Sequence, residues 1–448
     1  MGNAHPTRGS DTEQPVMSGS KERSMSDRHT IRINKGNQGQ RGEQAARQVL
    51  DDALAQVKPN HALPRSFYLD PAIFELDFRH FVMGHWHCVG HVSMIPKPHD
   101  FFTVELGGES IIIVRGDDSE VRALLNVCRH RGSRVCTEQH GSAKGGAFIC
   151  PYHAWTYGCA GELQRARLTP DDFDKGAYGL FTMQVRVSAG VIFITWADQP
   201  LGFRHVEDSF GRSARIYGWE TAKVAAKKTY QIAANWKLVT ENYQECYHCG
   251  PAHQEYSRRH IFARPQAQRV APDQAVIDRD AQMGIDLAEL DYYWNRNDDG
   301  QESADCFRSA MVDGFQTGSR DGKPVAPLMG AFKGKDYDGG FSFIDVGPTS
   351  NFIAYPDYGL IYRSIPQSVD RTAFELIWLV DGGAQEGKDY SVEDLIWMWD
   401  YTSVEDKKII EYNQAGVNSA FFEPGPYTPM EEDGARYIQW YVDSMRRI

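Results

Sequence analysis

CRHRGSRVC (residues 128–136) and CPYHAWTY (150–157) are the two stretches that decide how the first half of this chain folds. Cys128-Arg129-His130 and Cys150-Pro151-Tyr152-His153 read C-x-H and C-x-x-H, with nineteen residues between the pairs. Two thiolates and two imidazoles at paired short spacings can hold one tetrahedral metal or one iron–sulfur cluster. Zinc ligand pairs usually stand roughly two to four residues apart, whereas C-x-H leaves a single residue between ligands. In a two-iron cluster of mixed ligation the cysteines hold one iron and the histidines the other, so each loop gives one ligand to each metal. The Gly-rich segment GSAKGGAF (141–148) between the pairs suits a turn joining two such loops.

Around these loops, from about Cys88 to Ala197, short apolar runs alternate with Gly and Asp turns. FFTVEL, SIIIVRG, VRALLNV and AGVIFITW, with GGE and GDDSE among the turns, are the pattern of a small antiparallel β-domain. Upstream, GEQAARQVLDDALAQV (42–57) has amphipathic helical spacing. DPAIFELDFRHFVMGHW (70–86) predicts a second helix, capped by Asp70 with Pro71 at its first position.

A second constellation lies in ENYQECYHCGPAH (241–253), which contains H-x4-H with an acid three residues before the first histidine. Two neutral imidazoles and a carboxylate on one side of a metal leave positions open on iron(II) for dioxygen. On a helix over 235–248, Glu245 and His248 share a face, so the carboxylate can reach the second ring nitrogen of His248. His253 points elsewhere on a regular helix, and Gly250 with Pro251 is expected to break the helix and bring it round. The pair Cys246-x-x-Cys249 could mark a redox or zinc site. Lying between the proposed ligands, it is given no redox role.

The third ligand must be a distant carboxylate, because no histidine follows His260. SVEDLIWMWDYTSVEDKKIIEYNQAGV (391–417) predicts a long helix, on which Asp406 shares a stripe with Trp399, Ser403, Ile410 and Asn413. An acid on an apolar stripe wants a reason, which makes Asp406 the chosen ligand and Asp400 the reserve. Asp400 and Glu405 project to other faces, beside Lys407 and Lys408. The polar stretch from roughly 260 to 340 is expected to be irregular or inserted. Strands return in SNFIAYPDYGLIYRSI (350–365) and TAFELIWLV (372–380). The class is α+β in two domains.

A chain of 448 residues can hold two domains, and 41% hydrophobic with 12% aromatic residues fits packed cores. A net charge of −12 speaks against a nucleic-acid binder, since nothing would neutralise a run of phosphates. It suits a cytoplasmic protein with a cationic substrate or redox partner. No run reaches the roughly 20 apolar residues of a membrane helix. Residues 1–29 are polar and lack the apolar middle of a secretory signal, so a disordered tail is expected. Eight cysteines are too few for a disulfide scaffold, and their places beside histidines favour metal binding. Cys136 and Cys159 fall outside the ligand pattern and are expected to be packed thiols.

Both constellations, their order and their separation resemble the α-subunits of Rieske non-haem iron oxygenases, over roughly residues 65–445. The resemblance implies a Rieske all-β domain over 88–200, with a 2Fe-2S cluster on Cys128, His130, Cys150 and His153. It implies a helix-grip catalytic domain over 201–448, an antiparallel sheet with helices, holding mononuclear Fe(II) on His248, His253 and Asp406. The helices of 42–87 would pack on the catalytic domain, and 1–41 would be the tail. A homotrimer is implied, with the cluster of one subunit beside the iron of its neighbour. The linking residue, commonly Asp in the family, matches Glu245, which would join His153 of one chain to His248 of another. Glu245 and Asn242 are the expected catalytic residues. No G-x-G-x-x-G loop is present, so NAD(P)H must be oxidised by a separate, flavin-dependent reductase.

ENYQECYHC and the ending EDKKIIEYNQAGVNSAFFEPGPYTP (405–429) are similar to the subgroup acting on quaternary ammonium compounds such as carnitine and glycine betaine. The implied reaction is O2-dependent hydroxylation of an N-methyl group, giving a carbinolamine that collapses to formaldehyde and the demethylated amine. A quaternary ammonium has no hydrogen to donate, so aromatic faces are expected in its pocket. Tyr355, Tyr358 and Tyr362 are at hand but are read as core. Competing readings are an oxygenase for an aromatic acid or other ring, a Rieske electron carrier without oxygenase chemistry, and a structural zinc protein. Iron and sulfide content separates these classes.

Overall fold

The apolar runs of residues 87–195 pair into one antiparallel sheet. Its order is His87–His91, Val191–Thr195, Thr182–Ser188, Val121–Leu125, Glu109–Arg115, Asp100–Leu106 and His140–Ser142. The computed structural model describes residues 39–287 and 299–448, so the tail expected over 1–41 falls, up to residue 38, outside the described residues. Residues 111–114 of SIIIVRG are an unbroken apolar run because both faces of the strand are covered. Ile111 and Ile113 enter one core, while Ile112 and Val114 enter another that also holds Cys128, Cys150, Trp155 and Tyr157. A small sheet of Ala147–Ile149, Thr156–Gly158 and Leu163–Arg165 carries the second cysteine loop.

The helices before this sheet belong to the core of the C-terminal half. Leu50, Phe67, Tyr68 and Ile73 pack with Trp236, Leu238 and Tyr441. Asp70 caps Pro71–Asp77, its Oδ1 accepting from Ala72 N–H at 2.8 Å. The helix continues as a π-turn over Phe78–Val82. Asp77 and Lys237 form a fully buried ion pair, and Tyr441 donates to Asp77 at 2.6 Å. Removing one partner would strand the other charge in the core, which ties the early helices to the helix that starts the second constellation.

The C-terminal half is built on a six-stranded antiparallel sheet ordered Ala222–Ile232, Arg371–Asp381, Gly359–Ser368, Ser350–Ala354, Gly340–Val346 and Ala304–Ala310. One face packs on the long helix Val392–Val417 and on Trp236–Tyr243. The other meets Phe193 of the first sheet, and Trp86 just before it, through Phe352, Ile344 and Ile377. The two sheets thereby share a core, and the α+β class stands. Among the described residues no helix is long and apolar enough to cross a membrane.

The stretch 260–340 is not simply irregular. It contains the helix Gln266–Gln282 and the sheet strand Ala304–Ala310, and ends where the strand Gly340–Val346 begins. Buried charge disguised them. Arg308 sits inside one strand and pairs with Asp280 at 3.0 Å and with Asp338, so a core strand reads as polar. A buried charge is tolerated where it is paired in this way.

Candidate metal centres

Cys128 and Cys150 each begin a tight loop closed in the same manner. Cys128 C=O accepts from Gly132 N–H at 2.9 Å, and Cys150 C=O accepts from Ala154 N–H at 3.0 Å. Both closing residues sit at positive φ (77° and 58°), a conformation that Gly132 adopts without cost. The result puts each thiol inside and each imidazole outward. Cys128 and Cys150 are buried side by side, while His130 and His153 face one another with ring centroids 4.6 Å apart at the exposed tip. Trp155 stacks on His130 at 4.8 Å, and Tyr157 Oη lies 3.2 Å from Cys128 Sγ. Paired inner sulfurs and paired outer nitrogens are the donor set that a two-iron cluster of mixed ligation takes. Cys136 and Cys159 lie in the same core as free buried thiols whose Sγ atoms donate to backbone carbonyls, and burial pushes both thiols up to about 11.

The second site corrects the expected helix. Asn235 caps Trp236–Tyr243, and the helix ends at Gln244, before Glu245 and His248. Glu245 does not meet His248 across a helix turn. Its carboxylate accepts from the backbone N–H groups of Tyr247 and His248, holding the chain in a turn, and from His248 Nδ1 at 2.5 Å. Gly250 and Pro251 lie inside a short helix, Cys249–Ala252, instead of breaking one. Proline is tolerated in a first turn, where its missing N–H has no partner to lose. Cys246 and Cys249 are joined by a disulfide, a pairing the cysteine count did not suggest.

These turns bring His248 and His253 against Asp406. Their ligand atoms all lie within 4.8 Å of one another, with Asp406 Oδ1 at 2.8 Å from His253 Nε2 and 3.4 Å from His248 Nε2. Burial pulls the His248 imidazole down, but Asp406 and Glu245 outweigh it and hold His248 at about 10. Burial likewise pushes Asp406 up, and the two imidazoles bring it below the usual carboxylate range. The pocket therefore attracts positive charge strongly, and two nitrogens with one carboxylate fit iron(II). On the long helix Ser391 supplies the cap, and Trp399, Ser403, Asp406 and Ile410 are buried. Asn413 is exposed, and Gln414 takes the buried place and accepts from Asn235 N–H at 2.8 Å. The reserve ligand Asp400 is committed elsewhere, to Lys228 at 2.5 Å and to Tyr230.

Glu405 does not project away. Its Oε2 accepts from His253 Nδ1, so each imidazole is oriented by a carboxylate on its far nitrogen, Glu245 for His248 and Glu405 for His253. That pairing rule, applied to both histidines, was the available signal for Glu405. Asn242 lines the same pocket, and its Oδ1 is buried without a hydrogen-bond partner among the described residues.

The free space beside His248, His253 and Asp406 is about 40 Å³, walled by Tyr243, Tyr256, Phe262, Phe343 and Trp399. The walls are braced from behind. Tyr256 stacks on His260 at 4.1 Å, and Trp399 Nε1–H donates to Tyr358 Oη at 3.1 Å. Tyr355, Tyr358 and Tyr362 are fully buried core residues that support this wall and do not line the space.

Comparison with known proteins matches both halves. Residues 85–174 fit the Rieske [2Fe-2S] domain, and residues 219–447 fit the ring hydroxylating alpha subunit (catalytic domain). The chain is 35% identical over 405 residues to the glycine betaine monooxygenase oxygenase subunit of Chromohalobacter salexigens, covering 90% of this chain and 89% of that one. It is 35% identical over 218 residues to the carnitine monooxygenase oxygenase subunit of Acinetobacter baumannii, covering 47% of this chain and 57% of that one. In fold it resembles a quaternary ammonium Rieske monooxygenase studied for carnitine oxidation and inter-subunit electron transfer. The TM-score is 0.66 at 24% identity, covering 88% of this chain and 98% of that one. With each half matched in its own right and a relative aligned along nearly the whole length, the chain belongs to the Rieske oxygenase α-subunit family, enzymes that use a 2Fe-2S cluster and a mononuclear iron.

Proposed function

We propose that this chain is the terminal oxygenase of a multicomponent monooxygenase that removes an N-methyl group from a quaternary ammonium compound. The observation that carries the reading is the aromatic wall around His248, His253 and Asp406. Five aromatic side chains enclose a small space, which suits a cation that offers no hydrogen bond. The relatives named for glycine betaine and carnitine support the same substrate class.

Cys128, His130, Cys150 and His153 would hold the cluster, and His248, His253 and Asp406 the iron. When bound, these groups relay electrons and activate dioxygen for attack on a C–H bond. The aromatic faces seat the ammonium so that one methyl group points at the ligands. Glu245 and Glu405 keep the imidazoles in the tautomer that presents Nε2. Asn242 Oδ1, buried in the same pocket and unpartnered among the described residues, would accept a hydrogen bond from the hydroxyl formed on the attacked carbon. In balance, R3N+–CH3, O2, two electrons and two protons give R3N+–CH2OH and water. The carbinolamine then loses formaldehyde and a proton to leave the tertiary amine.

The electrons come from a separate reductase that oxidises NAD(P)H, in keeping with a cytoplasmic enzyme. A homotrimer is inferred, in which Glu245 lies between His248 of its own chain and His153 of a neighbour. His153 is half-buried at the loop tip between the exposed His130 and Tyr152, which leaves it open to such a contact. In this division, residues 42–87 belong with the catalytic domain 201–448, and 88–200 form the cluster domain.

The test is NADH-driven turnover with a flavin reductase against a panel of methylated amines, scoring formaldehyde. Release of formaldehyde from betaine-like compounds is expected. Silence on all of them together with turnover of an aromatic acid would reverse the assignment.

A further inference from the structure

Behind the aromatic wall of the iron pocket, a tyrosine is hydrogen-bonded to a histidine. Tyr355 and His260 are both fully buried, and Tyr355 Oη stands 2.6 Å from His260 Nε2. The other ring nitrogen, Nδ1, donates to the Tyr256 carbonyl at 3.1 Å, which keeps the proton on Nδ1 and the lone pair on Nε2. Tyr355 therefore donates and His260 accepts. Burial pulls the His260 imidazole down to about 3, so the ring stays neutral. Burial also holds the Tyr355 phenol well above its ordinary value, so no phenolate forms. Two wall residues connect the pair to the pocket. Tyr256 stacks on His260 at 4.1 Å, and the Trp399 ring lies 5.9 Å from His260 and 6.4 Å from Tyr355. Tyr358, stacked on Tyr355 at 4.7 Å, donates instead to the Gly318 carbonyl at 2.7 Å, an acceptor that cannot keep a proton.

A phenol gives up an electron far more readily when its proton moves to a base at the same moment. Tyr355 is shut off from bulk water, and His260 Nε2 is the base in place. Hydroxylation draws two of the four electrons that dioxygen takes up from the C–H bond. When no methyl group is seated, those two must come from elsewhere, and the aromatic wall stands next to the oxidant. We propose that Tyr355 and His260 form a redox-active pair that quenches oxidant produced at the iron without substrate, sparing that wall. Tyr355 loses one electron by way of Trp399 or Tyr256. Its O–H bond breaks and the proton passes to His260 Nε2, leaving a neutral tyrosyl radical and an imidazolium. A cluster electron and the His260 proton then restore Tyr355, and the second electron owed to oxygen follows by the same route. The pair needs only oxygen reduction at the iron, whichever substrate is attacked there.

The test adds hydrogen peroxide to holoenzyme with its cluster oxidised and its iron ferrous, free of dioxygen and substrate, and records electron paramagnetic resonance after freezing. Peroxide takes two electrons and two protons to give two waters, one electron from the ferrous iron and one from Tyr355. Wild type is expected to show a tyrosyl signal. Tyr355→Phe should lose it, and Tyr358→Phe, which removes the stacked neighbour's hydroxyl, should keep it, with cluster absorbance as the check on folding. 3-Fluorotyrosine at position 355 keeps the hydroxyl and should split the signal by coupling to fluorine, which serves even if Tyr355→Phe does not fold. Peptide mass spectrometry should find more oxygen added to Tyr256 and Trp399 in Tyr355→Phe than in wild type. Absence of a tyrosyl signal in wild type, its survival in Tyr355→Phe, its equal loss from both phenylalanine variants or an unsplit signal would overturn the proposal. So would equal oxidation of the wall with and without the hydroxyl. If no methylated amine yields formaldehyde, the substrate reading fails, while the pair stands or falls on the radical alone.

Discussion

Glu405 Oε2 accepts a hydrogen bond from His253 Nδ1 at 2.9 Å, while the next residue, Asp406, meets the opposite nitrogen of the same ring. Two consecutive acids of one helix thus grip one imidazole from both sides. Carboxylates behind ligand histidines raise ligand basicity and fix orientation. Glu405→Gln keeps the shape but weakens the acceptor. It is expected to lower iron(II) affinity about ten- to a hundredfold, measured by anaerobic titration, with the cluster spectrum intact. Unaltered affinity would remove Glu405 from the site.

Tyr157 Oη lies 3.2 Å from Cys128 Sγ, and hydrogen bonds to cluster sulfurs stabilise the reduced state. Tyr157→Phe should therefore lower the midpoint potential while the electron paramagnetic signature of the cluster persists. A potential that stays put or rises would mean that the hydroxyl does not donate to the sulfur.

Trp399 is the aromatic wall carried by the same helix as Asp406. Trp399→Leu keeps an apolar surface but removes a π face. It should weaken glycine betaine binding by about 2 kcal/mol, roughly thirtyfold, as a desolvated cation–π contact implies. Binding of an uncharged isostere should change less. Equal effects on both would point to shape alone.

Glu241 offers a pH test away from the metal ligands. Burial pushes its carboxyl up to about 8, against the downward pull of Tyr68, which donates at 2.9 Å, and of Lys237, with Tyr427 also facing it. The unfolded value is near 4.5, so the folded protein holds a proton that the unfolded chain releases. That contribution is fully present below about pH 4.5 and is lost as pH rises toward 8. Glu241→Gln removes the dependence, so its melting temperature relative to wild type should climb between about pH 5 and pH 8. A difference independent of pH would contradict the shift.

The cluster loops were legible because ligand chemistry restricts both residue type and spacing, and Asp406 because an acid on an apolar stripe is costly without a partner. Other features lay beyond pattern reading. The helix after Asn235 ends at Gln244 because the Glu245 carboxylate captures the N–H groups of the next turn, a tertiary choice that propensity does not encode. Glu405 was misplaced because its partner His253 arrives from outside the helix, so helical face counting does not apply. The strand Ala304–Ala310 was hidden by Arg308, whose partners Asp280 and Asp338 are distant in sequence.

A single-turnover experiment tests the central claim most directly. Holoenzyme with its cluster chemically reduced is mixed with oxygenated glycine betaine in the absence of reductase, and formaldehyde and cluster reoxidation are followed together. The account predicts a burst of formaldehyde coupled to cluster oxidation in wild type. In Asp406→Ala, which keeps the sulfide but lacks the mononuclear iron, it predicts no burst. An undiminished burst in Asp406→Ala, or cluster oxidation in wild type that yields no formaldehyde from any methylated amine, would contradict it.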